Sequence, residues 1–475
     1  MRFDRRNLIF FGIFALFFGV LLGTGEPIYV NDTFQYENQM VMREPGYALL
    51  IQFLRFVSPA NHYGLIIIVQ NILAIFANTV FIAFLRRRFC LNMPVSFLFT
   101  AILLAPHIMT PVFASTHLVL TNSLMTEGIL ISLYPLSFMS LLDMMWSQKA
   151  IGRESIRTIG LFFLLSLIRG QMMVLFIVWF LVAYCLAVKN ALKKTTETKD
   201  GRDTFVLAEN IGKQGFVAAL AILILVFAAR VMAIRVYNYC EQGLFVDTAS
   251  GKAMSFANVL YVADRADGEV IQEEALRELF YEMYDAADAD QMNYKYAPSG
   301  MLQKAAYHEK CHDELNFTYF GEPAKRYVWE TKGIDATQYQ ELMIAVDEVA
   351  EQLSKELMPQ VALRYVRNYI VVITLGFIRT VAYERPILAW YALFAYAAAI
   401  ILMVLLWKKN AGSKTASFMA VVLLTIAGNV CATALMIQCI SRYMIYNLPL
   451  FYIAGFLMIM ELWNGEKDGI SGNKI

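Results

Sequence analysis

Charge is scarce in this chain. Asp, Glu, Lys and Arg supply 17% of its 475 residues, where a soluble domain carries about 25%. That shortage excludes a string of soluble domains, and the same composition excludes a disordered chain or a collagen. Cysteine is sparse as well. Six thiols in a chain of 54.0 kDa exclude a small secreted fold stapled by disulfides. No internal repeat of about 20–50 residues is present, which excludes solenoids and propellers. There is no low-complexity tract, and no pair of inverted halves of the kind that builds many transporters.

Apolar side chains take the place of the missing charge. Hydrophobic residues reach 58% and aromatics 14%, with mean hydropathy +0.51. They gather in long runs, so the chain is predicted to be an all-α polytopic membrane protein. The net charge of +1 conceals a segregation: residues 238–365 hold 23 Asp and Glu against 11 Lys and Arg, and everything else holds 16 against 29. One acidic polar domain is therefore set into a basic, membrane-embedded remainder, and an acidic face argues against nucleic acid as a partner. Cys240 and Cys311 share that domain, and a disulfide between them stays open if it faces an oxidising compartment. Cys90, Cys185, Cys431 and Cys439 lie in or beside apolar segments, as small core residues do.

The first run, 8–23, follows Arg2, Arg5 and Arg6 and reads as an uncleaved first span with a cytosolic N-terminus. Further spans are predicted at about 63–85, 94–113, 120–146, 157–169, 171–188, 215–237, 387–407, 416–438 and 442–463, ten in all. Under that count Arg86-Arg87-Arg88, the Lys149/Arg153/Arg157 loop, the 189–213 loop and Lys408/Lys409/Lys414 all fall on the side of the two termini, as cytoplasmic loops do. A span over 369–382 would reverse Lys408 and Lys409, so 366–386 is predicted to lie as an interfacial helix on the outer surface. The organisation is then a seven-helix module over 1–237 with an acidic first outer loop at 24–62. An extracytoplasmic, mostly helical domain over 238–365 follows, and a C-terminal transmembrane module over 387–475 ends the chain.

Ionisable residues at a membrane face are costly and are functional candidates for that reason. Asp32 and Glu37 sit just beyond the first span, where a carboxylate can accept a proton from an acceptor or bind a cation. Arg43-Glu44-Pro45-Gly46-Tyr47 is a turn that opens an amphipathic helix. His117 and Glu127, the latter in Thr126-Glu127-Gly128, fall near the outer end of the fourth span. Arg169 occupies the outer turn between two spans, and Arg442-Tyr443 begins the last one. Acids and arginines from four segments thus meet one membrane face, and guanidinium suits a phosphate there because it offers fixed bidentate donors. A phosphate at that depth would belong to a lipid. His308 and His312 are spaced to share a helix face and could hold zinc, although no third ligand follows. Asn316-Phe317-Thr318 fits a glycosylation sequon.

In order, the acidic first loop, Pro45-Gly46-Tyr47, Thr126-Glu127, Leu167-Ile168-Arg169 and Arg442-Tyr443 with Pro449 resemble the GT-C superfamily of membrane glycosyltransferases. The resemblance is to its protein-mannosyltransferase-like, family 39-like branch, which uses polyprenyl-phosphate sugars. Asn31-Asp32 stands where that branch often has Asp-Glu, and Glu44-Pro45-Gly46 where it often has His-Pro-Pro. The resemblance implies an inverting transferase that moves a sugar to an extracytoplasmic glycan, lipid or protein, in a cell membrane and on its outer side. Asp32 would be the general base, with Glu37 the second choice. Arg169, Arg442 and Tyr443 would hold the leaving phosphate, Glu127 would bind donor hydroxyls or orient Arg169, and His117 would stand at the mouth. No resident cofactor is implied, and a divalent cation stays open. A transporter or flippase of a charged lipid or solute is the rival reading; it expects charges at the midplane of several helices.

Overall fold

The computed structural model describes residues 5–114, 117–197, 203–249, 251–383 and 388–471, and among them no β-strand forms. The chain is an all-α polytopic membrane protein: among the described residues ten helices are long and apolar enough to cross a membrane. The expected positions of Arg2, of 198–202 in the basic loop and of the 384–386 boundary lie outside the described residues.

The helices of the first module are α1 (Arg5–Thr24), α2 (Asn31–Glu37), α3 (Pro45–Val57), α4 (His62–Phe89), α5 (Met93–Phe113), α6 (Glu127–Ser147), α7 (Arg153–Ile168), α8 (Val174–Glu197) and α9 (Asp203–Gln242). An acidic-domain set comes next: α10 (Gly251–Val262), α11 (Glu274–Ala289), α12 (Met301–Glu314) and α13 (Glu322–Lys332). Then come α14 (Tyr339–Ala382), α15 (Ala389–Lys409), α16 (Lys414–Met436), the short α17 (Ser441–Met444) and α18 (Leu448–Ser471). The bundle has a large core of Phe, Leu, Ile and Val and a smaller one around Tyr36, Tyr47, Ile51 and Ile66, and the acidic domain has a core of its own, around Phe256, Phe280, Leu353 and Leu357. The bundle has two distinct ends: a domain end, which carries the acidic domain, and a basic end, which carries Arg86–Arg88 and Lys408–Lys409.

Two helices are sorted differently by length than by contact. At 16 residues, α7 is too short for the ten, yet it lies antiparallel along α6 from end to end. Its first turns meet the last turns of α6 through Arg157–Asp143 at 3.0 Å, and the residue after it, Arg169, meets the first residue of α6. By contrast α14 is among the ten, but its apolar half runs across the bundle. Tyr365 donates to Leu435 O at 3.1 Å, Tyr369 to Cys431 O at 3.1 Å and Arg379 to Cys439 O at 2.9 Å, while Tyr383 reaches Thr110 at 3.3 Å. These partners all lie within about two turns of the domain ends of α16 and α5, although residues 365–383 extend roughly 27 Å as helix.

Three boundaries differ from expectation. The span predicted from 120 begins as helix only at Glu127, because 117–126 is an extended, turning segment. The domain break predicted at 365 is not a break in the backbone: α14 passes through it as one helix of 44 residues, Pro359 included. The 189–213 loop is mostly the ends of α8 and α9. Cys240 and Cys311 stand as free thiols, with Cys240 exposed and Cys311 buried.

Candidate functional site

The site is assembled by the segment 117–126, a single 3-10 turn at Leu120–Asn122 set in extended and turning backbone, which is stitched into the bundle. A break in helix within the membrane leaves backbone amides and carbonyls without partners, and each must be satisfied inside the protein. Gln70 and Asn71 of α4 meet that demand. Gln70 Nε2 donates to the carbonyls of Thr121 and Ser123 at 3.0 and 3.1 Å, and Asn71 Nδ2 donates to Thr121 O at 3.2 Å and Asn122 Oδ1 at 3.0 Å. Asn122 Nδ2 in turn donates to Leu21 O at the end of α1. The first outer loop is sewn to the same segment: Ile28 N donates to Asn122 O at 2.8 Å, Leu124 N to Ile28 O at 2.9 Å, and Thr33 Oγ1 to Leu124 O at 2.8 Å. This places Asp32, on α2, beside Glu127, the first residue of α6, where a carboxylate also complements the helix N-terminus.

Five of the sequence-predicted residues come together there. Arg169 Nη1 lies 2.6 Å from Glu127 Oε1 and 3.0 Å from Thr126 Oγ1. Arg442 reaches both acids, with Nη2 3.6 Å from Asp32 and Nε 3.8 Å from Glu127. The Tyr443 ring packs under two guanidiniums, 4.4 Å from that of Arg169 and 4.9 Å from that of Arg442. Its backbone is fixed by Gln171, whose Nε2 donates to Tyr443 O at 3.1 Å and to Asn429 and Thr433 of α16. Glu127 is 3% exposed and Arg169 17%, so both charges are held largely away from water.

Two predicted residues stand apart. Glu37 is bound in its own surface cluster by Tyr63 at 2.6 Å, Arg55 at 2.6 Å and Tyr29 at 3.0 Å. Burial raises its carboxyl, and the donors of Tyr63, Tyr29 and His62 outweigh that and hold it below the usual carboxylate range. The His117 ring is exposed and meets the Pro111 carbonyl at 3.0 Å, while its left-handed backbone donates to Ala114 O at 3.2 Å. Among the described contacts neither residue meets Arg169 or Arg442. The zinc candidates are spent elsewhere: His308 shares a hydrogen bond with Asn258 at 2.8 Å, and His312 meets Met254 O and Asp313. Asn316 of the sequon is buried at 6% exposure.

The structure adds residues that received no role from sequence. Arg43 Nη2 lies 2.7 Å from Asp32 Oδ1, and its Nε donates to Gln35 at 2.6 Å. Arg230, in the middle of an apolar stretch of α9, pairs with Glu44 at 3.3 Å and donates to Ser166 O at 3.4 Å. A charge inside an apolar run is the signal that could have found it. A cavity of about 920 Å³ opens beside this cluster, with Arg43, Glu44, Arg169, Arg230 and Tyr443 in its wall. Towards the membrane the wall is apolar, formed by Val174 and Ile177 of α8, Phe227 of α9 and Met436 of α16; towards the acidic domain it carries Asp247, Lys252 and Glu348.

No known protein family, curated protein or solved structure matches the chain. The chemistry of the site therefore rests on its own geometry: a cavity apolar on one side and polar on the other, with arginines at the seam.

Proposed function

We propose that this protein is an inverting glycosyltransferase that moves a sugar from a polyprenyl-phosphate donor to an extracytoplasmic glycan, lipid or protein. The observation that carries the proposal is the charge and shape of the cavity. The cavity wall carries Arg43, Arg169, Arg230, Arg235 and Lys252 against Glu44, Asp247, Asp347 and Glu348, and Arg442 joins Asp32 and Glu127 beside it. Five cations against four carboxylates in that wall leave one positive charge over, which matches the single negative charge of a phosphodiester. The apolar wall of α8, α9 and α16 suits the lipid chain, the arginines suit the phosphate, and the polar upper wall suits the sugar.

In this mechanism Asp32 takes the proton of the acceptor hydroxyl as its oxygen bonds the anomeric carbon. The bond from that carbon to the phosphate oxygen breaks, and the polyprenyl phosphate leaves with the electron pair. Direct displacement inverts the carbon and needs one carboxylate. Arginines aimed at the departing phosphate supply the main electrostatic stabilisation. The site would face the outer side of a cell (inner or plasma) membrane, opposite the basic loops.

The test is release of polyprenyl phosphate by the purified protein from a panel of polyprenyl-phosphate sugars, beside Asp32→Asn. Turnover by the wild type and none by the variant is expected. Wild-type turnover in Asp32→Asn would remove the base assignment. Movement of an intact polyprenyl-phosphate lipid across vesicles, with no sugar released, would replace the transferase with a flippase.

A further inference from the structure

Building on the transferase reading, we propose that Arg43 exchanges partners during the cycle: its guanidinium, which holds Asp32, is drawn away by a donor phosphate entering the cavity, and the base is so released. Four observations carry this. First, Arg43 belongs to both places, since its guanidinium binds Asp32 Oδ1 at 2.7 Å while its side chain lines the cavity, whose wall does not include Asp32.

Second, the pair is more exposed than the Arg169–Glu127 and Arg230–Glu44 pairs at the seam. Side-chain exposure is 20% for Arg43 and 28% for Asp32, against 17% and 3% for Arg169 and Glu127 and 4% and 16% for Arg230 and Glu44. A partly hydrated pair separates at less cost than a desolvated one.

Third, the neighbouring charge makes the exchange tolerable. With Arg43 gone, Asp32 still has Arg442 at 3.6 Å, so the carboxylate is never left without a counter-charge.

Fourth, the backbone leaves only the side chain to move. Residues 38–44 form a non-helical link, and Val41 is anchored on both sides, its N–H to Gln340 Oε1 at 3.1 Å and its carbonyl to Ala249 N at 2.9 Å. Arg43 lies two residues past that anchor, and a turn of its side chain suffices.

The consequence is an order of events. While Arg43 occupies Oδ1, an acceptor hydroxyl finds that oxygen taken, so donor binding precedes productive acceptor binding.

The experiment measures affinity for a short-chain polyprenyl monophosphate in detergent for wild type, Asp32→Asn, Arg43→Gln and the double variant. Removing the competing carboxylate is expected to tighten binding about threefold to fivefold, the scale of a partly exposed ion pair. That gain is expected to vanish in the Arg43→Gln background. A gain that persists there would show Asp32 acting through Arg442 and would overturn the exchange, as would no gain at all. If wild type binds no polyprenyl phosphate, the transferase reading falls and the exchange with it; if it binds and the pattern fails, only the exchange falls.

Should Arg43→Gln not fold, arginine labelling of the wild type by phenylglyoxal, read by peptide mass, keeps the exchange open to refutation. The lipid phosphate is expected to shield Arg43 together with Arg169. A labelling rate at Arg43 unchanged by saturating lipid would overturn the proposal.

Discussion

Replacing Glu127 by Gln keeps the size of the side chain and removes its charge. In the wild type that charge is buried at 3% exposure, 2.6 Å from Arg169 and 3.8 Å from Arg442. Its removal takes from Arg169 its 2.6 Å partner and leaves Arg442 with Asp32. Breaking a buried pair by deleting one partner costs about 3–5 kcal/mol, because the survivor stays desolvated without compensation. Glu127→Gln and Arg169→Gln are each expected to lose that much, read from denaturation midpoints in mixed micelles. The double variant is expected to lose less than the sum, by about 1–3 kcal/mol of coupling. A bound phosphate would restore the missing negative charge, so polyprenyl phosphate is expected to stabilise Glu127→Gln more than wild type. Single losses below about 1 kcal/mol, the scale of an exposed pair, or strict additivity, would refute the reasoning that this pair is desolvated and mutually dependent.

A Cβ at Gly170 would overlap the Glu44 carboxylate that holds Arg230, so Gly170→Ala is expected to displace Glu44 from Arg230; it should weaken polyprenyl-phosphate binding about tenfold, and unchanged affinity would separate Arg230 from the site. In the acidic domain, burial first and the neighbouring His312 second push the His308 ring down to about 3 from 6.5. The folded state keeps the ring neutral while the unfolded chain binds a proton below 6.5, so its contribution is complete above that pH and lost as pH falls. Stability should drop by about 1.4 kcal/mol per pH unit below 6.5. His308→Gln should flatten the profile, and parallel wild-type and variant profiles would refute the assignment.

How much of the molecule is legible in the sequence depends on what each feature rests on. The apolar runs announce the helices because twenty apolar residues in a row have few other homes. Asp32, Glu127, Arg169, Arg442 and Tyr443 stand out together because a charge at a membrane face is conspicuous in an apolar chain. Arg230 obeys the same rule, but the apolar residues on both sides of it let the whole stretch read as a plain span. Arg43 has no sequence mark to distinguish it from a solvated loop residue; only its 2.7 Å contact with Asp32 does that. Glu37 shows the converse error. It sits five residues from Asp32 and on the same short helix, yet lies in another cluster, because α2 turns the two carboxylates to different neighbours. The start of α6 at Glu127 carries only a faint mark, since Thr121-Asn122-Ser123 and Thr126, which favour caps over helix interiors, interrupt the apolar pattern before it.

That displaced start explains why the acids and arginines can meet at all. Had 120–126 continued α6 as helix, Glu127 would lie two turns down, with its amide and those of its neighbours bonded within the helix. The broken segment brings Glu127 to a helix N-terminus, where the helix dipole and the pull of Arg169 and Arg442 both favour a carboxylate. The break is sustained by buried side chains of α4 and α3. Gln70 is fully buried and bonds Thr121, Ser123 and, through Oε1, the Tyr47 hydroxyl at 3.0 Å, and Tyr47 belongs to the helix opened by Pro45-Gly46. Gly46 lies so close to the end of α7 that a Cβ there would stand 2.8 Å from Leu167 O, two residues before Arg169. One polar contact set therefore fixes the first loop, the start of α6 and the end of α7 against each other. Asp32, Glu127 and Arg169, far apart in sequence, are held in register by the same few bonds.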